Sequence, residues 1–184
     1  MIILLNGPPR SGKDTAAEVI EHSLINCAHY KLSRPLKQGV MNMMQWTYAD
    51  VNAYEATKDV KIEEYGQSYR DMQINFFKYM EDQFGPAILG KIAVRAMHRM
   101  IFTYCVISDA GRTAELMPII DTYGLDKVGL ITIKREDCSF KGDIREYISN
   151  IQFKYHAVIE NDFELEIYQR QVKRVLEKWE ILKK

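Results

Sequence analysis

Residues 1–15, MIILLNGPPRSGKDT, decide how the rest of the chain is read. Met1 to Leu5 is an apolar run that suits one buried strand and is too short for a helix of its own. Gly7-Pro8-Pro9-Arg10-Ser11-Gly12-Lys13 then spells G-x-x-x-x-G-K, and a helical pattern follows Asp14 and Thr15. Strand, glycine-bounded loop and helix in that order form the context that gives such a loop a phosphate-binding mechanism. Gly7 and Gly12 can adopt backbone angles closed to residues with a Cβ, so successive N–H groups can turn inward as an anion nest around Arg10 and Ser11. Lys13 brings a full positive charge to β- and γ-phosphates, and the following helix aims its positive end at them. A Ser or Thr commonly follows that lysine and meets Mg²⁺; here Asp14 holds the position. A carboxylate beside a triphosphate needs a cation, a water or a donor between them. We therefore read Asp14 as linked to Mg²⁺ through water and Thr15 as a phosphate donor. The competing reading, a glycine-rich turn that binds nothing, loses to the strand-loop-helix context.

Working outward, 184 residues are enough for one domain spanning 1–184 with a proper core. Lys plus Arg and Asp plus Glu both number 25, so no global field favours nucleic acid or a membrane surface. The three cysteines (Cys27, Cys105, Cys138) and four histidines are scattered outside any metal-ligand spacing. A reduced, cytoplasmic setting without a structural metal is expected. The N-terminal apolar run leads straight into the loop and does not resemble a signal peptide, and no apolar stretch approaches a membrane span.

Along the chain, Lys13 to about Ile25 reads as a helix with Ala16, Ala17, Val19, Ile20 and Leu24 on its apolar face. A short strand, Ala28–Leu32, leads to a helix opened by Pro35. Tyr48 to Gln67 is polar, aromatic and irregular, either a mobile excursion over the site or a solvated surface helix. Helices follow over Ser68–Asp82 and Ile88 to about Met100, broken at Gly85-Pro86. IFTYCVIS (101–108) is the clearest buried strand and ends at Asp109, a carboxylate placed to hold Mg²⁺ or orient water; its humbler alternative is a cap for the helix near Thr113. VGLITI (128–133) runs into a polar segment carrying Arg135, Lys141 and Arg145, candidates for meeting phosphate charge from a flexible flap. Ala157–Ile159 is a last short strand, after which Asn161-Asp162 caps a long amphipathic helix with room for a homodimer contact. Five strands alternating with helices call for an α/β fold, a parallel sheet with helices on both faces and ligand at the strands' carboxyl ends.

GPPRSGKDT, SRPLK, YRDMQINFFKYMEDQFG, VISDAGRTAEL, ITIKRED with GDIREYI, and VIENDFELEIYQRQVKRVL are spread along most of the chain. Together they resemble the deoxynucleoside monophosphate kinases of bacteriophages, within the nucleoside monophosphate kinase-like group of phosphate-loop proteins. The resemblance implies a three-layer α/β/α P-loop NTPase fold with an inserted helical monophosphate-binding region at about 35–100 and a lid at about 135–150. It implies transfer of the ATP γ-phosphate to a (deoxy)nucleoside 5′-monophosphate with Mg²⁺, in the cytoplasm of a host if phage-encoded. By the same resemblance Gly7 to Thr15 would hold ATP. Arg34, Lys37 and Arg70 would face the acceptor phosphate, and Arg135 and Arg145 would belong to the lid, with Lys13 and Asp109 completing the catalytic set. The family often carries Asp-x-Arg after its third strand, whereas this chain has Asp109-Ala110-Gly111-Arg112. Animal phosphomevalonate kinases share a similar loop style, so a non-nucleotide acceptor stays open. A nucleotide-gated binding module with little turnover is the alternative of a different kind.

Overall fold

The computed structural model describes residues 1–182. Two compact units emerge: Met1–Leu32 together with the chain from Gly90 onward, and Ser33–Leu89.

The first unit is built on a parallel five-stranded sheet in the order β2-β5-β1-β6-β7. Its strands are β1 (Ile2–Asn6), β2 (Cys27–Tyr30), β5 (Tyr104–Ala110), β6 (Val128–Lys134) and β7 (Tyr155–Glu160). Central strands of a parallel sheet are covered on both faces and so read as unbroken apolar runs. That is why IILL, CVIS and VGLITI were legible as strands, and all of β1 is buried. The edge strand β7 alternates instead: Ile159 is buried while His156, Val158 and Glu160 face out. Its period-two pattern explains why the expected strand, Ala157–Ile159, covers only half of the observed one.

One face of the sheet carries α1 (Lys13–Ser23) and α7 (Leu165–Lys178), whose Ala16, Ala17, Ile20, Tyr168, Val172 and Leu176 pack with Ile3, Leu5 and Ile131. The other carries α5 (Ile88–Met97, from Gly90 on) and α6 (Thr113–Tyr123), whose Ala93, Met97, Leu116 and Ile119 pack with Ile2, Leu4, Ile107 and Leu130. Three layers result, the parallel sheet with helices on both faces that the sequence predicts. At about 25 cal/mol per Å² of apolar surface removed from water, these two faces dominate the unit's stability. The strand order reverses direction at β1, because β5 lies on one side of it and β6 on the other. Ligands of such sheets sit beyond the carboxyl ends of the strands at that reversal, which is where the Gly7–Lys13 loop begins.

The second unit is helical. It comprises α2 (Arg34–Met43), α3 (Tyr48–Ala56), a two-stranded hairpin of β3 (Lys61–Ile62) and β4 (Gln67–Ser68), and α4 (Tyr69–Phe84). The stretch 48–67 is therefore ordered as a helix and a hairpin, the surface-helix alternative holding for its first half. Its helix starts are explicit: Thr47 with Asp50, and Ser68 with Asp71, form reciprocal capping boxes. Gly39 lets α2 close on α4, since a Cβ there would lie 2.3 Å from the Phe76 ring. Trp46, Tyr54, Tyr65 and Tyr69 pack as an aromatic cluster around Val40 and Met72.

Two further expectations are corrected. Asn161 and Asp162 do not cap the last helix; α7 starts later, with Glu164 at its N-cap position and no side-chain cap bond. β5 runs on to Ala110, so Asp109 is a strand residue and not the first residue after the strand.

Candidate active site at the phosphate loop

β1 ends at Asn6 and α1 begins at Lys13, so Gly7–Gly12 must turn the chain from sheet to helix within one short loop. Arg10 (φ 66°) and Gly12 (φ 98°) both adopt left-handed backbone conformations, the alternation that points successive N–H groups to one side. A Cβ at Gly7 would lie 2.5 Å from the Ile133 carbonyl oxygen and 2.7 Å from Ser11 Oγ, so only glycine fits between the loop and β6. Gly12 is the N-cap of α1 and has no side chain with which to satisfy the first-turn N–H groups of Lys13, Asp14 and Thr15.

The loop's carbonyl side is tied back by two residues from beyond β7. Asn161 Nδ2 donates to the Ser11 carbonyl at 2.9 Å, and the Tyr168 hydroxyl donates to the Gly12 carbonyl at 2.9 Å. With those carbonyls held behind, the N–H groups face forward. Burial pushes the Tyr168 phenol well above its ordinary range, so it stays a donor. Neither role is legible locally: Tyr168 falls among the apolar positions of the amphipathic last helix, and Asn161 reads as its cap. Ser11 is fully buried, and its Oγ has no hydrogen-bond partner among the described residues.

Lys13 folds back over the loop, its Nζ donating to the Pro8 carbonyl at 2.6 Å. Burial first, and then the Arg145 charge, lower its pKa to about 8 against the opposing charges of Asp14, Asp109 and Asp143. All four charged groups therefore act at Lys13, and the structure brings Lys13, Asp14, Asp109 and Arg145 into one electrostatic neighbourhood. Asp14 Oδ1 accepts from Lys31 Nζ at 2.7 Å. Burial alone would raise the Asp14 pKa, but the Lys31 bond and the Lys31, Lys13 and His29 charges outweigh it and hold the carboxyl below its usual range. Asp109 Oδ1 accepts the Leu32 backbone N–H at 2.7 Å. The N-cap of α6 is Arg112, so Asp109 is not that helix's cap. Arg112 lies 3.6 Å from the buried Glu115 carboxylate, a local partner within α6.

The two arginines expected in a lid differ. Arg145 is half-buried and gripped by Asp143, with Nε–Oδ1 at 2.9 Å and Nη2–Oδ2 at 2.5 Å. That bond, working against burial, holds its guanidinium firmly protonated. Arg135 is exposed and reaches the Arg10 carbonyl at 3.3 Å. The loop after β7 is stapled to the end of β6, with Asn161 N donating to the Lys134 carbonyl and Asp162 Oδ1 accepting from Glu136 N at 2.7 Å. Between these elements opens a cleft of about 460 Å³ lined by Arg10, Arg135, Cys138, Asn161 and Phe163 among others.

Arg34, Lys37 and Arg70 belong to the helical unit. Arg34 is exposed at the start of α2. Lys37 Nζ lies 2.8 Å from Glu55, and Arg70 Nε pairs with Asp59.

No protein-family model and no curated protein matches this chain. Among solved structures it is similar to a shikimate kinase from Aquifex aeolicus, with 14% identity over 98% of each chain and a TM-score of 0.44.

Proposed function

We propose that the chain is an ATP-dependent phosphotransferase whose acceptor is itself a phosphorylated small molecule, a (deoxy)nucleoside 5′-monophosphate. The observation that carries this reading is the preorganised loop: carbonyls of Ser11 and Gly12 tied behind, α1 first-turn donors facing forward, and Lys13 folded over them. Fixed donors aimed at phosphate oxygens are the largest contribution a protein can make to phosphoryl transfer, because they need no reorganisation as charge shifts.

ATP fits what is present. The loop and the N-terminus of α1 would take the phosphates, and Thr15 stands in that first helical turn. The cleft, lined by Arg10, Arg135 and Phe163 together with Glu136, Asp137 and Asp162, has the size for a base and offers it a guanidinium and an aromatic ring. Asp14 and Asp109, both felt by Lys13, would hold Mg²⁺ through water. Among the described residues no group of three or more His, Cys, Asp or Glu could hold a metal unaided. The fit is therefore to a cation shared with phosphate oxygens, as is usual for Mg²⁺. When bound, Mg²⁺ would supply charge neutralisation to the transferring group.

In the proposed reaction an acceptor phosphate oxygen bonds to the γ-phosphorus as the bond to the bridging oxygen of ADP breaks. That acceptor is already ionised at neutral pH, so no general base is required. Lys13 and Arg145 hold positive charge at the loop, and Arg34, Lys37 and Arg70 are the cations available to an acceptor phosphate. Catalysis would then follow from position and charge.

ADP release from ATP and Mg²⁺, measured against a panel of ribo- and deoxyribonucleoside monophosphates plus phosphomevalonate, tests the reading. Release that depends on one or a few nucleoside monophosphates supports it. Release with phosphomevalonate alone moves the acceptor class. Retained ATP binding with no transfer to any acceptor replaces it with a nucleotide-gated binding module.

A further inference from the structure

We propose that Asn6 is a positioning residue that fixes Arg145 at the carboxyl end of β5, beside the end of β1 from which the phosphate loop departs; this rests on the phosphotransfer reading above. Asn6 is the last residue of β1 and stands immediately before Gly7. A polar side chain there breaks an otherwise apolar strand, and it is fully buried. Burying an amide costs free energy unless its donors and acceptor are satisfied. Here all are. Nδ2 donates to the Ala110 carbonyl at 2.9 Å and to the Glu146 carbonyl at 2.9 Å, while Oδ1 accepts from Ile148 N at 3.0 Å. Two carbonyls on one side and an N–H on the other allow only one orientation of the amide.

These bonds join three chain segments that are far apart in sequence: the end of β1, the end of β5, and residues 146–148. A fourth bond, Glu146 N to the Gly111 carbonyl at 2.8 Å, reinforces the junction. Ile148 is buried with the α5–α6 face of the core, which anchors the segment's far side. Arg145 is the next residue upstream. Its Cβ, Cγ and Cδ would lie 2.6, 2.7 and 2.9 Å from a Cβ at Gly111, so the stem of Arg145 rests directly on the end of β5. The same buried amide thus begins the phosphate loop and sets where the arginine that acts at Lys13 must stand. A lid arginine on a free flap would need to find this position in each turnover; Asn6 holds it there in advance.

The test is a double-mutant cycle on Asn6 and Arg145, read with hydrogen exchange. For Asn6→Ala, kcat falls by roughly 10- to 100-fold, the loss expected when a catalytic group is displaced by about an ångström. KM for ATP stays within about twofold, because the loop donors are not the groups displaced. In an Arg145→Ala background the same substitution costs no further kcat, since there is no arginine left to position. Amide exchange over residues 145–148 becomes faster in Asn6→Ala and is unchanged at α7. An equal fold-loss in both backgrounds, or unaltered exchange at 145–148, overturns the proposal. If wild type transfers phosphate to no acceptor, the functional reading fails, and the exchange result alone then decides whether the clamp exists. Should Asn6→Ala fail to fold, Asn6→Ser keeps one hydrogen-bonding group in place. Gly111→Ala, which pushes on the Arg145 stem from the β5 side, must then reproduce the kcat loss without a change in KM.

Discussion

The two units handle their cations in opposite ways. At the phosphate loop, Lys13 and Arg145 are half-buried and held by groups the fold itself buries: Asn6, Asn161 and Tyr168 fix the backbone, and Asp143 fixes the arginine. In the helical unit, partly buried Lys37 pairs with Glu55, Arg70 pairs with the exposed Asp59, and Arg34 stands exposed. A half-buried cation with its supports in place is costly to create and is held in one position. A surface ion pair contributes only about 0–1 kcal/mol, so its partner can be exchanged for a phosphate at little cost. On the proposed function, the donor end would be built in advance, while the cations of the helical unit would be open to exchange.

Removing Lys13 breaks the built end most severely. Lys13→Ala should lower acceptor-dependent turnover by at least about 100-fold, the scale seen when a preorganised charge-stabilising group is lost. Its melting temperature should hold or rise, because a partly desolvated ammonium disappears with it; calorimetry alongside the kinetic assay reads both. The next largest effect comes from the loop's support. Tyr168→Phe removes the side-chain donor from the Gly12 carbonyl, which keeps only the Ala16 N–H, and should cost about 1 kcal/mol in urea unfolding, with weaker ATP binding. Unchanged ATP affinity in that variant would show that the loop holds its shape alone.

The pH dependence sharpens the same contrast. Lys13 titrates at about 8 in the free fold, against about 10.4 in an unfolded chain. The folded state therefore binds the proton less well, so this group opposes stability below pH 8 and ceases to do so as pH rises toward the unfolded value. For ligand binding the sign is reversed. Phosphate needs the charged lysine, so ATP affinity should fall as pH climbs through about 8, with proton uptake on binding near that pH. Titration calorimetry in buffers of different ionisation enthalpy measures it, and Lys13→Ala should abolish the dependence. The smallest structural effect belongs to the helical unit. Lys37→Ala and Arg70→Ala should each change stability by no more than about 0.5–1 kcal/mol. They should raise KM for the acceptor while leaving ATP affinity as it was.

What the sequence revealed follows the same division. Central strands covered on both faces and a glycine loop spelled in consecutive residues are local signals, so β1, β5, β6 and Gly7–Lys13 were readable directly. The supports of the loop were not, because Asn161 and Tyr168 meet Ser11 and Gly12 across about 150 residues of chain. A local reading gave Asn161 to the helix that follows it, a common use of Asn, when its amide is spent across the sheet. Asn6 did leave a trace, as a polar residue closing a buried apolar run. Only the fold shows that Glu146 and Ile148 are its partners. Residues 48–67 were opaque for a different reason: α3 buries no residue fully, so it lacks the apolar stripe by which helices are recognised.

The most direct test of the central claim follows the γ-phosphate itself. Wild-type protein with γ-labelled ATP, Mg²⁺ and an equimolar mixture of nucleoside monophosphates is quenched within a single turnover, and the products are separated. Label in one or a few nucleoside diphosphates, absent with Lys13→Ala, is the predicted result. Label found only in inorganic phosphate, or still wholly in ATP that the protein has bound, would contradict it.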